Sequence, residues 1–148
     1  MSRLIPPFLF LMLLGALVLL WRFHPETTYL LRPDRPMPWD VPLALGLAAL
    51  IWARVHFRGK DAEIHTFRTP KTLVTDGPFR FSRNPMYLGF TLVLLGAAFY
   101  VNLWCALLVP VAFFLASTYW YVPHEERALR SVFGSAFDDY AWKTRRWL

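Results

Sequence analysis

The sequence has a single cysteine, Cys105, among its 148 residues. Because a disulfide bond needs two thiols, none can form within the chain, and a cysteine metal cluster is excluded for the same reason. The four histidines do not follow the HExxH spacing, so a helical zinc site is not indicated, and we expect no bound metal. No glycine-rich phosphate loop follows a strand pattern, which disfavours Rossmann and P-loop folds. Cys105 lies within an apolar run, where we expect it to serve in packing.

Acidic residues are also scarce: the chain has 10 Asp and Glu against 16 Lys and Arg, a formal net charge of +6. Hydrophobic residues make up 56% of the sequence and fall into four runs. These runs cover residues 4–21, 41–55, 85–101 and 103–122. A helix needs roughly 20 apolar residues to cross a bilayer core, which three of the runs approach. The second run reaches that length when flanking residues extend it to 39–56; without them it is typical of a buried helix in a soluble protein.

The pattern predicts an all-α integral membrane protein with about four transmembrane helices, folded as one domain over residues 1–148. The first run follows Arg3, as the apolar part of a signal peptide would. No small-residue cleavage site comes after it, so we expect it to remain as a membrane anchor. A cytoplasmic loop at 57–84 and an amphipathic helical tail at 123–148 complete this prediction.

The basic residues are distributed unevenly between the two sides of the predicted membrane. Seven lie at residues 54–83, five lie in the tail and one is Arg3, whereas the opposite side has Arg22, Arg32 and Arg35. The positive-inside rule therefore predicts that both termini are cytoplasmic. Basic loops beside anionic headgroups also explain the net charge without a nucleic-acid partner.

Residues 77–89, with the sequence GPFRFSRNPMYLG, bring a basic loop to the start of the third run. Asn84 is a favoured N-cap residue, and Pro85 suits the first position of a helix. Arg80 and Arg83 stand just before them, so cations and free backbone N–H groups would meet where an anion can bind. The same arginines would equally neutralise lipid phosphates. Two further residues have ordinary explanations: Tyr87 suits an interface belt, and Gly89 permits close helix packing.

The tail predicts two helices, at 124–133 and 136–143, separated by Gly134. Glu125 falls on the apolar face of the first, where a carboxylate needs a partner because bare burial is costly. That partner is either a cationic or hydroxyl-rich ligand or an arginine of the preceding loop. Glu126 lies four residues before Arg130, in the favourable order for an ion pair on a helix surface. Aromatic residues expected to anchor the tail at the membrane interface are Tyr140, Trp142 and Trp147.

Two segments together resemble a known superfamily. LVTDGPFRFSRNPMYLG, followed by PHEERALRSVFGSAFDDYAWKTRRW, is similar to the isoprenylcysteine carboxyl methyltransferases and phospholipid methyltransferases over residues 73–147. The resemblance implies an integral membrane enzyme that uses S-adenosylmethionine and releases S-adenosylhomocysteine. It implies a cofactor pocket between the start of helix three and the helix after span four. Asn84 stands where the carboxyl methyltransferases often have histidine, which weakens the case for a prenylcysteine substrate.

Site residues follow from the resemblance by position. It implies cofactor binding by Arg83, Asn84, Pro85, Tyr87, Glu125 and Glu126, and we expect Arg80, Gly89 and His124 to bind the cofactor with them. We expect Arg83 and Glu126 to take part in catalysis, and the resemblance aligns Arg145 and Arg146 with the basic end of the tail motif. The implied reaction moves a methyl group to a lipophilic small molecule, a carboxylate or a lipid headgroup, reached from the bilayer. Membrane lipids are the other expected partners, and the oligomeric state stays open. The alternatives are a sterol-type reductase that uses a nicotinamide cofactor and a non-enzymatic lipid-binding protein.

Overall fold

The computed structural model describes residues 6–23, 38–58 and 72–148, and over these ranges it is helical without a strand. Its α-helices are, in chain order, α1 Pro6–Phe23, α2 Asp40–Arg58, α3 Pro85–Val101, α4 Leu108–Ala116, α5 Val122–Phe133 and α6 Ser135–Lys143. Turns of 3-10 helix span Gly77–Arg80 and Trp104–Leu107, and a π-helical turn spans Ser117–Tyr121. The predicted all-α fold is confirmed, while residues 59–71 of the predicted cytoplasmic loop lie outside the described ranges.

Three helical stretches are long and apolar enough to cross a membrane: Pro6–Phe23, Asp40–Arg58 and Trp104–Phe133. The fourth apolar helix, α3, has 17 residues. Large apolar side chains on the outer faces of the spans are more than half exposed, among them Leu11, Ile51 and Leu108. Because a water-soluble protein rarely leaves so much apolar surface open, these faces contact lipid. The integral membrane architecture is therefore confirmed.

Glycines hold α2 and α3 close together. A Cβ built on Gly46 would lie 2.7 Å from the carbonyl O of Gly89 and from the backbone N of Val93. A Cβ on Gly96 would lie 2.8 Å from the backbone N of Leu43. Lipid provides no hydrophobic force between helices, so small residues that let backbones approach supply the packing energy instead. This glycine seam fixes α3 against α2.

The helix that contains the fourth apolar run continues beyond residue 122. It extends from Trp104 to Phe133 as one stretch of 30 residues. The π-helical turn lies in the middle, and two of its hydroxyls, those of Ser117 and Thr118, donate to carbonyls four residues earlier at 2.8 Å. Pro123 has no N–H to donate, but it is the second residue after this wide turn, and the helix passes it without a break. The predicted tail helix is thus continuous with the membrane span.

Cys105 is exposed, so the packing role expected from its place in an apolar run is wrong. It lies in the 3-10 turn Trp104–Leu107, where the buried position is that of Ala106. The turn follows Asn102, which ends α3 in a left-handed conformation with φ of 58°. The short connection between the third and fourth runs is confirmed.

The tail packs against the loop before α3 through a small cluster of buried apolar side chains. Phe137 and Tyr140 of α6 pack with Val74 and Phe79. The Tyr140 hydroxyl donates to the carbonyl O of Phe79 at 2.7 Å, and the residue is 8% exposed. Burial raises the pKa of the Tyr140 phenol, and the nearby charge of Arg83 opposes that shift in part. The predicted anchoring of Tyr140 at the membrane interface is therefore wrong, because the ring closes the joint between tail and loop.

We predict that Gly46→Ala loosens the α2–α3 seam. Its new methyl group would press on backbone atoms of α3, which cannot swing aside as a side chain can. Overpacking of this kind costs about 1–3 kcal/mol, measured as a lower thermal midpoint of the purified protein in detergent. Gly15→Ala in α1 is the matched control, because no described atom lies within 4 Å of its Cβ position. Equal midpoints for Gly46→Ala and the wild type would contradict the seam.

We also predict that Tyr140→Phe destabilises the joint between tail and loop by about 1–3 kcal/mol, since it leaves a buried carbonyl without its donor. Tyr119→Phe is the control, because that side chain is 78% exposed. A phenol whose pKa is raised by folding stabilises the fold below its unfolded pKa of about 10 and loses that contribution as the pH rises further. The variant should therefore lose less stability than the wild type in alkaline thermal scans. Identical pH profiles would contradict this.

Candidate active site

The 3-10 turn Gly77–Arg80 directs the chain to the start of α3. Gly77 has a φ of 58°, and a Cβ there would lie 2.7 Å from Cε1 of His56, so the turn needs glycine. Asn84 occupies the predicted N-cap position and Pro85 begins the helix, as predicted. The Asn84 side chain does not cap α3, however, because its Nδ2 donates to the carbonyl O of Arg146 at 2.9 Å.

Residues 144–147, which we call the C-terminal strap, cross the loop just before α3. The backbone N–H of Arg83 donates to the carbonyl O of Arg145 at 3.0 Å. Ser82 Oγ donates to the carbonyl O of Arg146 at 3.4 Å and accepts from the backbone N–H of Asn84 at 3.1 Å. The Trp147 ring lies 4.7 Å from that of Phe114, between centroids. Three consecutive loop residues therefore bind the strap, and Trp147 attaches it to the membrane helix.

Glu126 lies between two arginines from opposite sides of this joint. Arg83 Nη1 is 3.2 Å from its Oε1, and Arg146 donates to both carboxylate oxygens, at 3.2 Å and 2.5 Å. The side chains of Glu126 and Arg83 are 13% and 14% exposed. The predicted pair between Glu126 and Arg130 is wrong, because Arg130 binds Asp138 at 2.8 Å. The Glu126 side chain faces the loop before α3, so Arg83 and Arg146 are its partners in place of Arg130.

The Arg83–Glu126–Arg146 cluster carries one positive charge in excess. The Nε of Arg83 is buried and has no hydrogen-bond partner among the described residues. A buried guanidinium N–H without a partner is costly, and an anionic or carbonyl oxygen would satisfy it. The cluster therefore has a buried donor that an acceptor oxygen near Arg83 would satisfy.

Glu125 is the neighbour of Glu126 in α5, and its side chain contacts the first turn of α3. The Tyr87 hydroxyl donates to its Oε1 at 2.8 Å. The Tyr87 ring is stacked near that of Tyr121, with centroids 6.1 Å apart and planes 20° apart, and Phe113 lies 6.5 Å away. A carboxylate beside aromatic faces suits a cationic group, which both kinds of side chain attract.

A sequence profile of the phospholipid methyltransferase family matches residues 42–136. The match covers more than half of the chain and includes Arg83, Tyr87, Glu125 and Glu126. The chain belongs to the phospholipid methyltransferase family. No curated protein and no solved structure matches it. Family membership implies methyltransferase activity in a membrane, and it confirms the superfamily resemblance found in the sequence.

Several residues aligned with the cofactor pocket of the family lie apart from the arginine cluster. Gly89 is in the α2–α3 seam, which is the close-packing role that the sequence also allowed. Arg80 is exposed on the 3-10 turn, and His124 is half-buried at the start of α5. Pro85 is buried at the first position of α3. The cluster thus unites Arg83 and Glu126, with Tyr87 and Glu125 as a neighbouring pair.

Three further residues lie at the candidate site without having been predicted there from the sequence. The Arg146 side chain binds Glu126, because the Arg145-Arg146 pair follows the end of α6 and folds back. Tyr121 precedes Glu125 by four residues and so shares its helix face, which is a signal that periodicity could have used. Ser82 carries no pattern that would mark it.

An open groove of about 500 Å³ lies between the turn before α3 and helix α6. Its polar lining comes from Thr75, Arg80, Asp139, Tyr140, Lys143 and Thr144. We call it the α6 groove. Within the described ranges, no group of three or more His, Cys, Asp or Glu residues is placed to hold a metal ion.

We predict that Glu126→Gln destabilises the protein by about 2–3 kcal/mol, because two partly buried guanidinium groups would then lack a counter-charge. The loss should be smaller than the roughly 3–5 kcal/mol of a fully buried pair, since Arg146 is 41% exposed. Asp138→Asn is the control: its pair with Arg130 is more than half exposed and should contribute at most about 1 kcal/mol. Thermal midpoints in detergent compare the two. A larger loss for Asp138→Asn would refute the central place of Glu126.

Proposed function

We propose that the chain transfers a methyl group from S-adenosylmethionine to a lipophilic small molecule that reaches the site from the bilayer. The observation that carries this proposal is the pairing of two unlike subsites at the start of α3. One is the Arg83–Glu126–Arg146 cluster with its unsatisfied Nε. The other is Glu125 with the Tyr87 hydroxyl and the aromatic rings beside it.

The two subsites fit the polar groups of S-adenosylmethionine, which carries a carboxylate, an ammonium, a sulfonium and ribose hydroxyls. Arg83 Nε offers a buried donor for a carboxylate, and the cluster supplies the balancing positive charge. Glu125 offers a half-buried carboxylate that can accept from an ammonium or from hydroxyls. When bound, the cofactor supplies an electrophilic methyl group on its sulfonium.

The work of the protein is then to align two reactants and to keep water out. Displacement at a methyl carbon depends on an in-line approach, which bound and oriented partners provide. Arg83 holds an oxygen ligand, and Glu126 fixes the guanidinium through its own contact. The C-terminal strap covers this region, with Trp147 packed on Phe114. A carboxylate acceptor is already ionised and needs no base, so the proposed catalytic residues are positioning and charge-holding groups.

The membrane setting supports a lipophilic acceptor. The helices that carry the site have lipid-facing apolar surfaces along their length, so an acceptor dissolved in the bilayer can approach laterally. A phospholipid headgroup and an isoprenoid acid both meet this description. The unequal distribution of basic residues supports cytoplasmic termini, which would put the cluster within reach of a soluble cofactor.

Calorimetric titration of the purified protein with S-adenosylhomocysteine tests the proposal. Glu125→Gln keeps the side-chain shape and removes the charge, so its affinity should fall by about tenfold to a hundredfold, the range for hydrogen bonds to charged groups. Asp138→Asn serves as the matched control, because it removes a carboxylate from the neighbouring helix α6. Thermal midpoints must show that both variants are folded.

Two results would overturn the proposal. One is the absence of S-adenosylhomocysteine binding to folded wild-type protein. The other is binding of a reduced nicotinamide nucleotide that S-adenosylhomocysteine does not displace, which would favour the sterol-type reductase. Wild-type affinity in Glu125→Gln would leave the activity standing and remove Glu125 from the cofactor site.

A further inference from the structure

The α6 groove is lined by charged and hydroxyl side chains that have no part in the proposed methyl transfer. Arg80 comes from the turn before α3, and Lys143 comes from the last turn of α6. Within the described ranges, neither side chain forms an ion pair or a hydrogen bond. Two cations that face one cavity from different elements attract an oxyanion, and their mutual repulsion falls when one binds.

The other polar side chains that line the groove indicate which class of anionic ligand it suits. Thr75 and Thr144 bring hydroxyl groups that can donate to phosphate oxygens. Asp139 brings a carboxylate, which accepts hydrogen bonds and would repel a bare anion placed against it. The groove therefore suits a ligand in which a phosphate is joined to hydroxyl groups: the phosphate between the cations, and the hydroxyls at Asp139.

An exposed aromatic residue is the chain neighbour of each of the two cations in the groove. Phe81 follows Arg80 and is 63% exposed, and Trp142 precedes Lys143 and is 91% exposed. The Phe81 ring lies 6.2 Å from that of Trp52, on the lipid-facing surface of α2 near its end. Aromatic side chains next to basic ones are typical of segments that lie in the headgroup layer. This composition favours a groove that faces lipid headgroups.

We propose that the α6 groove binds the headgroup of an anionic phospholipid that carries hydroxyls, such as a glycerol headgroup. The phosphodiester contacts Arg80 and Lys143, and the headgroup hydroxyls donate to Asp139. Phe81 and Trp142 lie among the neighbouring lipids. A lipid bound there holds α6 on the bilayer surface, and its binding does not require a bound cofactor.

Native mass spectrometry of the purified full-length protein, mixed with equal amounts of phosphatidylglycerol and phosphatidylcholine, tests the site. The wild type should retain phosphatidylglycerol. Each basic residue near a membrane surface contributes about fivefold to anionic-lipid affinity, so Arg80→Gln/Lys143→Gln should bind roughly 25-fold more weakly. Arg54→Gln/Arg127→Gln removes the same charge from exposed positions outside the groove. Equal losses in both double variants would overturn the proposal, because general surface charge would then explain the binding.

Three further arms identify the ligand. Asp139→Ala should lose the preference for phosphatidylglycerol over phosphatidic acid, and a retained preference would refute the hydroxyl contact. Displacement of the lipid by millimolar glycerol phosphate or inorganic phosphate would overturn the lipid in favour of a soluble phosphate. Displacement by S-adenosylhomocysteine would assign the groove to the cofactor instead. If the double variant unfolds in lipid-free detergent, Lys143→Gln alone, with about a fivefold loss expected, replaces it.

Discussion

The carboxylate of Glu126 joins two distant parts of the chain, since it binds Arg83 from the loop before α3 and Arg146 from the C-terminal strap. The attraction and hydrogen bonds of two cations offset the desolvation of a largely buried carboxylate, and the remaining positive charge attracts an anion. The backbone bonds between strap and loop depend on the same juxtaposition, because Arg146 supplies both the guanidinium for Glu126 and the carbonyl for Asn84. The site is therefore an assembled joint of loop, helix and strap.

This joint keeps its geometry only if α3 is fixed relative to the other membrane helices. Close packing fixes it, since lipid provides no hydrophobic force between helices. Gly46, Gly89 and Gly96 bring α2 and α3 to backbone contact, so the start of α3 has one position relative to α2. The helix that carries Glu126 runs unbroken into the membrane span, through the π-helical turn. Because such a turn rotates the residues beyond it, it sets the face on which Glu125 and Glu126 meet Tyr87 and Arg83.

The sequence predicts what depends on local chemistry. The apolar run at 85–101 became α3 with the same bounds, and Gly134 ends α5 with a positive φ of 53°. Predictions that needed tertiary partners did less well: the local spacing rule paired Glu126 with Arg130, and the interface rule placed Tyr140 in the headgroups. Docking of α6 and of the strap on the loop before α3 overrode both predictions. The π-helical turn has no periodic signature, so the continuity across Pro123 could not be read from hydropathy.

Tyr140 links the cluster and the α6 groove physically. Its hydroxyl is held by Phe79, its side chain lines the groove, and the charge of Arg83 is near enough to act on its pKa. A displacement of α6 must therefore disturb the contact between Tyr140 and Phe79, which lies in the same loop as Arg83. It must also move the C-terminal strap, including Arg146, because the strap directly follows α6. Because reactant alignment tolerates little displacement, a lipid that holds α6 in place also holds the two arginines around Glu126. The position of α6 on the bilayer surface and the arrangement of the arginines around Glu126 are therefore coupled.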